Sequence, residues 1–326
     1  MRAEKDLEFS IIVPLHRDNP RFRASLERCQ VVALRGSGEL VIVSDRPVPN
    51  LPDDVVTAVT WSSQDTPPGV KRDLGIKCAR GKMLAFIDDD AYPREDWLDH
   101  ALRILRDDNI CGVGGPGITP PNSPWREQLG GAVYESFLGS GPLRFRFSCV
   151  GERRALADLP AFNLVIKREV LEEIGGWNSM YYGGEDTKLC ETLAAVNKSL
   201  VYDPEVVVYH FRRPIFRGHL RQVGNVGLHR GYFFRSYPLT SRRPIYLLPL
   251  LGTLALGSVV AGAMPLALEF PARFFSVVFV LWLSVSLGAI KKVGVAGILF
   301  PITLLAHHAV YGYNFLRGVL SKELLR

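Results

Sequence analysis

Asp88, Asp89 and Asp90 follow directly on the apolar run Met83-Leu84-Ala85-Phe86-Ile87. In an extended chain residues i and i+2 face the same way, so Asp88 and Asp90 are expected to point together, with Asp89 turned aside. Two bare carboxylates at that separation repel. They become useful around a hard divalent cation, Mg2+ or Mn2+, that neutralises the charge on a departing diphosphate. A solvated acidic turn leading into the next helix fits the same triplet. Glu185-Asp186 follow Gly183-Gly184 and open a predicted helix. Acids at a helix N-terminus are favoured by about 0.3–1 kcal/mol, which accounts for the pair without any chemistry. The functional alternative is a glycine turn that presents a carboxylate to an acceptor hydroxyl, because a general base must come within about 3 Å of the proton it removes. His210 ends a predicted strand, where neutral imidazole serves either as a third metal ligand or as a structural hydrogen-bonding group.

Residues 211–243 hold eight Arg and no Asp or Glu. Within them Arg212, Arg213, Arg217 and Arg221 are candidates to grip phosphate, either the diphosphate of a donor or the phosphate of a lipid-linked acceptor. Phe216 and Leu220 lie four residues apart beside the stripe of Arg217 and Arg221, the pattern of an interfacial helix on an anionic membrane.

These groups need a scaffold. From residue 9 to about 115 the pattern alternates strand and helix. Strands are expected at 9–13, 40–43, 55–61, 83–87 and 110–113, the fourth a continuous apolar run that suits a buried parallel strand. Asn19-Pro20 supplies an N-cap and first helical position for a helix with Phe22, Leu26 and Cys29 on one face. A short helix is predicted over 72–79, ended by Gly81, and another is opened by Pro93. Residues 116–143 break the rhythm with prolines and glycines and read as a long loop, or a loop with a short helix, beside an acceptor cleft. Strands are then expected at 144–149, 161–166 and 206–209, with helices around 170–174 and 185–195. The result is an open α/β sheet with helices on both faces, which binds ligands at the carboxyl ends of its strands.

Several ordered pieces over roughly residues 9–235 resemble the GT-A glycosyltransferases of family 2. Ile12-Val13-Pro14 resembles the family's first strand and its proline, and Val41-Ile42-Val43-Ser44-Asp45 its second strand and base-contacting aspartate. Arg72-Asp73-Leu74-Gly75-Ile76 resembles Arg-Asn-x-Gly-Ile, with Asp in place of Asn. Phe86-Ile87-Asp88-Asp89-Asp90 resembles the DxD element. Asn163, Gly175-Gly176-Trp177 and Gly184-Glu185-Asp186 resemble the acceptor-side half, and Tyr209-His210 a recurrent strand ending. The resemblance implies a GT-A open mixed sheet and an inverting transfer. It places Pro14, Asp45, Arg72, Asp88 and Asp89 in nucleotide-sugar binding, with Asp45 and Arg72 on the nucleobase and ribose. It places Asp90, Asp88 and His210 at the metal, Asn163 and Trp177 in the acceptor or sugar pocket, and Asp186, ahead of Glu185, as general base. Ser44-Asp45 stands where an Asp-Asp pair is common, which leaves the base open among UDP, GDP and dTDP donors. The Gln-x-x-Arg-Trp signature of processive relatives is missing, which points to transfer of a single sugar.

Charge and hydropathy divide the chain. Residues 1–210 carry 25 Lys/Arg against 31 Asp/Glu, so the formal net charge of +6 comes from residues 211–326. A nucleic-acid binder should spread positive charge over a folded face; here it sits just ahead of apolar runs at 245–268, 274–290 and 293–316. Crossing a bilayer takes roughly 20 apolar residues, which the first and third runs meet and the second nearly meets. The expected organisation is a catalytic domain at 1–210, a basic amphipathic interface segment at 211–243 and a membrane domain at 244–326 with two or three helices. Residues 1–8 are polar with no long apolar run behind them, so no signal peptide is expected and the head is placed in the cytoplasm, at the cytoplasmic membrane. Five scattered cysteines suit a reducing compartment and give no zinc or disulfide spacing.

The expected function is metal-dependent transfer of one sugar from a nucleotide-sugar to a polyprenyl-linked or cell-surface glycan acceptor, as in cell-envelope polysaccharide synthesis. The partners are donor, acceptor and anionic lipids, without nucleic acid. A sugar nucleotidyltransferase is the enzymatic alternative, although residues 14–20 lack the glycine-rich phosphate loop such enzymes use. A non-enzymatic membrane assembly subunit with a degenerate nucleotide domain is the third reading.

Overall fold

The structure, a computed structural model, describes residues 7–324, without the side chains of 266 and 267. Residues 1–6 of the polar N-terminal stretch lie outside the described residues. By its internal contacts the chain forms two compact units, residues 7–120 with 145–211, and residues 121–144 with 212–324.

The first unit opens with β1 (Phe9–Pro14), α1 (Pro20–Arg35), β2 (Gly38–Ser44), β3 (Val56–Val59), α2 (Pro68–Cys78) and β4 (Met83–Phe86). β5 (Ala91–Pro93), α3 (Trp97–Leu105), β6 (Ile110–Gly114) and β7 (Gly117–Ile118) follow. After α4 (Trp125–Glu135) and α5 (Phe137–Ser140), which belong to the second unit, come β8 (Arg154–Leu156), β9 (Leu164–Lys167), α6 (Arg168–Ile174), α7 (Glu185–Ala195), β10 (Ser199–Tyr202) and β11 (Val208–His210). Eight strands form one mixed sheet in the order β3-β2-β1-β4-β9-β6-β10-β8. β1 to β4 pair in parallel, and β9 runs antiparallel to both β4 and β6. A small sheet, β5-β11-β7, stands apart. This is the expected α/β architecture.

The local signals explain most elements. Asn19 caps α1 by accepting from the Arg21 and Phe22 backbone N–H groups, and Phe22, Leu26 and Cys29 are buried beneath it. Ile11, Ile12, Leu84, Ala85 and Phe86 are inaccessible to solvent, as strands covered on both faces must be. Gly175, left-handed at φ 80°, closes α6.

Other expectations give way. α2 ends at Cys78 with an extended Ala79, so Gly81 does not terminate it; a Cβ at Gly81 would lie 2.2 Å from the Phe9 carbonyl carbon, and the glycine serves close approach to β1. Pro93 closes β5 rather than opening a helix, and α3 starts at Trp97. Part of the segment read as a strand at 144–149 is a 3-10 turn over Gly141–Arg146, where alternation of apolar and charged residues finds no neighbouring strand to pair with. The strand expected at 161–166 begins only at Leu164, after a 3-10 turn at Ala161–Asn163. The last strand of the head, β11, joins the small sheet and not the large one.

In the second unit, α8 (Arg217–Ser236), α9 (Pro238–Ser241), α10 (Leu248–Glu269), α11 (Pro271–Val293) and α12 (Phe300–Leu320) accompany α4 and α5. The stretch read as a loop, or a loop with a short helix, carries the 11-residue helix α4 and the four-residue α5. α8 packs on α12 backbone to backbone: a Cβ at Gly227 would lie 2.5 Å from the Tyr311 carbonyl oxygen, and one at Gly231 2.0 Å from that of Phe315. Tyr311, Phe315 and Val223 are buried in that seam. The third apolar run is thus largely the packing partner of the basic helix. Among the described residues two stretches, Pro244–Pro265 and Pro271–Leu320, are long and apolar enough to cross a membrane. Beyond the buried Tyr246 at its start, the first is largely exposed, with Leu251, Leu254, Val259 and Val260 each more than half accessible. Such a surface needs an apolar surrounding.

Candidate active site

The acidic triplet lies where β4 ends. Its three aspartates are not extended: the Ala91 N–H donates to the Asp88 carbonyl at 3.0 Å, closing a turn. The turn still parts the side chains as expected. Asp89 accepts the His16 backbone N–H at 2.8 Å, while Asp88 and Asp90 turn the other way. β11 pairs antiparallel with β5, which starts one residue after Asp90, and sets His210 opposite Ala91. The Phe211 N–H donates to the Asp90 carbonyl at 3.0 Å, and His210 Nε2 reaches Asp90 Oδ1 at 3.1 Å. One ligand atom each from Asp88, Asp90 and His210 lie within 4.8 Å of one another. Two carboxylate oxygens and an imidazole nitrogen are a donor set that fits Mn2+ well and Mg2+ through its oxygens.

The electrostatics favour a cation there. Burial raises the Asp88 carboxyl above the usual range and the neighbouring Asp90 charge adds to this, while Arg72 pulls the other way. Asp186 contributes a further negative field at Asp88.

Arg72 is 1% exposed. Its Nη2 donates to Asp88 Oδ1 and its Nη1 to Glu185 Oε1, both at 2.7 Å. The guanidinium lies 4.5 Å over the Trp177 ring, whose edge meets Phe86. Glu185 and Asp186 are the first two residues of α7, after Gly184 at φ 78°. Glu185 is buried and committed to Arg72. Asp186 is half-buried, with Oδ1 accepting the Thr187 N–H at 2.7 Å.

Asp45 lies at the end of β2. It lines a cavity of about 300 Å³ with Leu15, His16, Arg17, Asp18, Arg46 and residues 62–65. Its carboxylate accepts from Lys71 Nζ at 2.7 Å and from Thr60 Oγ1 at 2.8 Å. Burial opposes its charge, but Lys71, Thr66 and Thr60 together hold it below the usual carboxylate range. Pro14 is buried at the end of β1.

The structure thus brings together Arg72, Asp88, Asp90, Glu185 and His210, with Asp186 next in sequence to Glu185. Asn163 and Trp177 are both essentially buried and act behind the site. Asn163 donates to the Val206 carbonyl at 2.7 Å and accepts from Trp97 Nε1 at 2.8 Å, fixing the turn in which Phe162 stacks on His210. Trp177, expected with Asn163 in a sugar or acceptor pocket, packs under the Arg72 guanidinium. The four neck arginines lie in or beside α8 of the second unit. Arg213, Arg217 and Arg221 are exposed, whereas Arg212 is buried with its guanidinium over Tyr134. Sequence reasoning missed Lys71, His16 and Phe162, whose contacts are long-range and carry no local signature. Asp73 was visible only as a departure from the family pattern.

The profile of glycosyl transferase family 2 matches residues 10–175, just over half of the chain. A pre-mycofactocin glycosyltransferase of Mycobacterium tuberculosis is 28% identical over 214 residues, which cover 63% of this chain and 45% of that protein. The glycosyltransferase AglE of Haloferax volcanii is 25% identical over 144 residues, 44% of each protein. The chain therefore spans under half the length of these relatives in the matched regions. Among solved structures, the mannosyltransferase PcManGT of Pyrobaculum calidifontis, in complex with GDP-Man and Mn2+, superposes with a TM-score of 0.55 at 17% identity, covering 95% of this chain and 88% of that one. That likeness concerns the fold, and it agrees with the expected GT-A architecture. With the profile spanning both the cavity at Asp45 and the acidic turn, the chain belongs to glycosyl transferase family 2.

Proposed function

We propose that this protein transfers a single sugar from a nucleotide-sugar donor to a polyprenyl-linked or cell-surface glycan acceptor at the cytoplasmic face of a membrane, with inversion at the anomeric carbon and with Mg2+ or Mn2+. The convergence of Asp88, Asp90 and His210 within 4.8 Å, beside the helix that begins Glu185-Asp186, carries the reading. The relatives described above are glycosyltransferases by name, and PcManGT was solved with a nucleotide-sugar and Mn2+.

Asp88, Asp90 and His210 would hold the cation, which supplies charge neutralisation for the leaving nucleoside diphosphate. The cavity at Asp45 takes the nucleobase; the ionised carboxylate accepts hydrogen bonds and therefore requires N–H groups on the base. Asp186 takes the proton of the acceptor hydroxyl as its oxygen forms the new bond to the anomeric carbon and the glycosyl–phosphate bond breaks. Glu185 cannot serve in the same way while its carboxylate is buried against Arg72. The exposed α10 and the exposed arginines of α8 suit a membrane with an anionic surface, where a lipid-linked acceptor is held.

The test is turnover of a panel of UDP-, GDP- and dTDP-sugars by the lipid-reconstituted protein, with and without Mn2+. Metal-dependent release of the nucleoside diphosphate, accelerated by polyprenyl-phosphate or glycan acceptors, is expected. No metal-dependent binding or release with any donor would leave the assembly-subunit reading standing.

A further inference from the structure

Residues 121–144 interrupt the first unit between β7 and β8 and belong, by their contacts, to the second. α4 buries Leu129, Ala132 and Val133 in one cluster with Ile215, Ala289 of α11, and Phe300 and Leu304 of α12. At its C-terminal end Glu135 pairs with Lys292, in the last turn of α11. Just beyond, the His308 Nε2–H of α12 donates to the Leu138 carbonyl at 2.8 Å. At its start the Arg126 carbonyl accepts the Ile215 N–H at 3.2 Å, beside the basic neck. The insertion is thus braced on two apolar helices and on the segment that leads into α8.

The surface it leaves uncovered is apolar and cationic. Phe137 and Leu138, consecutive in α5, are 62% and 53% exposed, and Trp125, the first residue of α4, is 45% exposed. Single surface hydrophobics are ordinary, but a group of large ones on so short a stretch marks a contact surface. The acids of the insertion are turned in: Glu127 is buried and Glu135 is held by Lys292. Its exposed charges are Arg144 and Arg126, whose guanidinium lies 5.3 Å over the Trp125 ring. Tryptophan beside arginine, with phenylalanine and leucine close by, is the side-chain mixture of a membrane–water boundary, where amphipathic rings sit among headgroups and arginine meets lipid phosphate.

We propose that the α4–α5 insertion is an interfacial membrane contact in addition to the apolar helices. Trp125, Phe137 and Leu138 enter the boundary between headgroups and acyl chains, and Arg126 and Arg144 face anionic lipid phosphate. Two observations select a bilayer over a further protein as the occupant. The insertion rests on α11, whose Phe279, Leu281 and Leu287 are each more than half exposed, so the lipid that covers α11 extends to α4. The charges it shows are positive, which complements an anionic leaflet. The inference rests on the reading of α10 and α11 as membrane helices and does not depend on the sugar-transfer chemistry.

The experiment places the full-length protein in vesicles of equimolar phosphatidylcholine and phosphatidylglycerol, with lipids brominated near the top of their acyl chains as quenchers of tryptophan emission. Trp97 and Trp177 are buried, Trp61 is exposed in the first unit, and Trp282 lies in α11 with its Nε1 donating to the Ile298 carbonyl. Trp282→Phe therefore removes the signal of the membrane helix. The lipid quenching that remains in this variant should fall at least about threefold when Trp125→Phe is added, as expected of an interfacial ring. Adding Phe137→Asp and Leu138→Asp to Trp282→Phe in place of Trp125→Phe should also weaken it, with the melting temperature kept because both side chains are exposed. Aqueous iodide is the second quencher, and each quencher is read as the difference that Trp125→Phe makes. Quenching of Trp125 by iodide and not by brominated lipid would put the insertion in water and overturn the proposal. Protection of Trp125 from both quenchers would put a protein neighbour, such as a second copy of this chain, on the patch and overturn it as well. If brominated lipid quenches Trp282 alone, only the insertion's contact fails; if it quenches neither Trp282 nor Trp125, the membrane reading fails with it.

Discussion

His210 and Asp90 are 120 residues apart in sequence, and their side chains meet at 3.1 Å. The meeting is imposed by backbone: β11 pairs with β5 in a register that sets His210 opposite Ala91. The ring is then held flat against Phe162 at 4.7 Å, and Phe162 has its place because Gly117 leaves room for it. A histidine supported in this way loses little freedom when it binds a cation, which is what a metal ligand requires.

Replacing that imidazole should separate two metals. His210→Ala leaves the oxygens of Asp88 and Asp90, which suit Mg2+, and removes the nitrogen that helps to favour Mn2+. Calorimetric titration in the presence of UDP or GDP should show Mn2+ affinity reduced at least about tenfold, with a smaller change for Mg2+. Equal losses for both metals would argue that His210 only shapes Asp90.

Asp186→Asn should leave donor and metal binding within about twofold and lower transfer by about 10² to 10⁴, the range over which a positioned base contributes. Glu185→Gln should behave differently. It removes the charge that balances Arg72, and breaking a buried ion pair costs about 3–5 kcal/mol of stability, so a lowered melting temperature should accompany its loss of activity. Undiminished transfer by Asp186→Asn would remove it as the base.

In the second unit, Gly231→Ala tests the seam between α8 and α12. Alanine gains about 1 kcal/mol in helix propensity over glycine. The added Cβ would meet the Phe315 carbonyl oxygen at 2.0 Å, and overpacking costs about 1–3 kcal/mol or more. The net effect should be destabilising, seen as earlier thermal unfolding in detergent. Gly252→Ala, at an exposed helical position with nothing within 4 Å, is the control and should not lower stability.

The pH dependence of that unit should show His219. Burial, with the nearby Arg212 adding to it, lowers its pKa from 6.5 to about 4. A base with a depressed folded-state pKa is protonated more readily when unfolded. Stability is therefore fully present above pH 6.5 and falls as pH drops from 6.5 toward 4, by up to about 3 kcal/mol. Thermal unfolding at pH 7 and pH 4.5 should differ more for the parent protein than for His219→Phe. Equal pH sensitivity would assign the acid lability to other groups.

The sequence by itself determined the features that depend on neighbours along the chain. Asn19-Pro20 specified the start of α1 through a cap that needs only the next two N–H groups. The continuous apolar run before Asp88 specified a strand buried on both faces and put an acidic turn at its end. The separation of an acidic head from a basic neck and apolar runs was written in composition, because charge and hydropathy are properties of segments. What the tertiary structure decided is everything that depends on which segments meet. The carboxylate of Asp45 acquired Lys71, Asp73 acquired the N–H groups of Trp177 and Asn178, and Asn163 and Trp177 turned inward. The third apolar run became the partner of α8 because three glycines on that helix, Gly224, Gly227 and Gly231, let the two backbones approach. Hydrogen bonds and close packing act over a few ångströms in space and are indifferent to distance in sequence. The Tyr209-His210 pair hinted at a metal ligand through a family resemblance; that His210 meets Asp90 was decided by the pairing of β11 with β5.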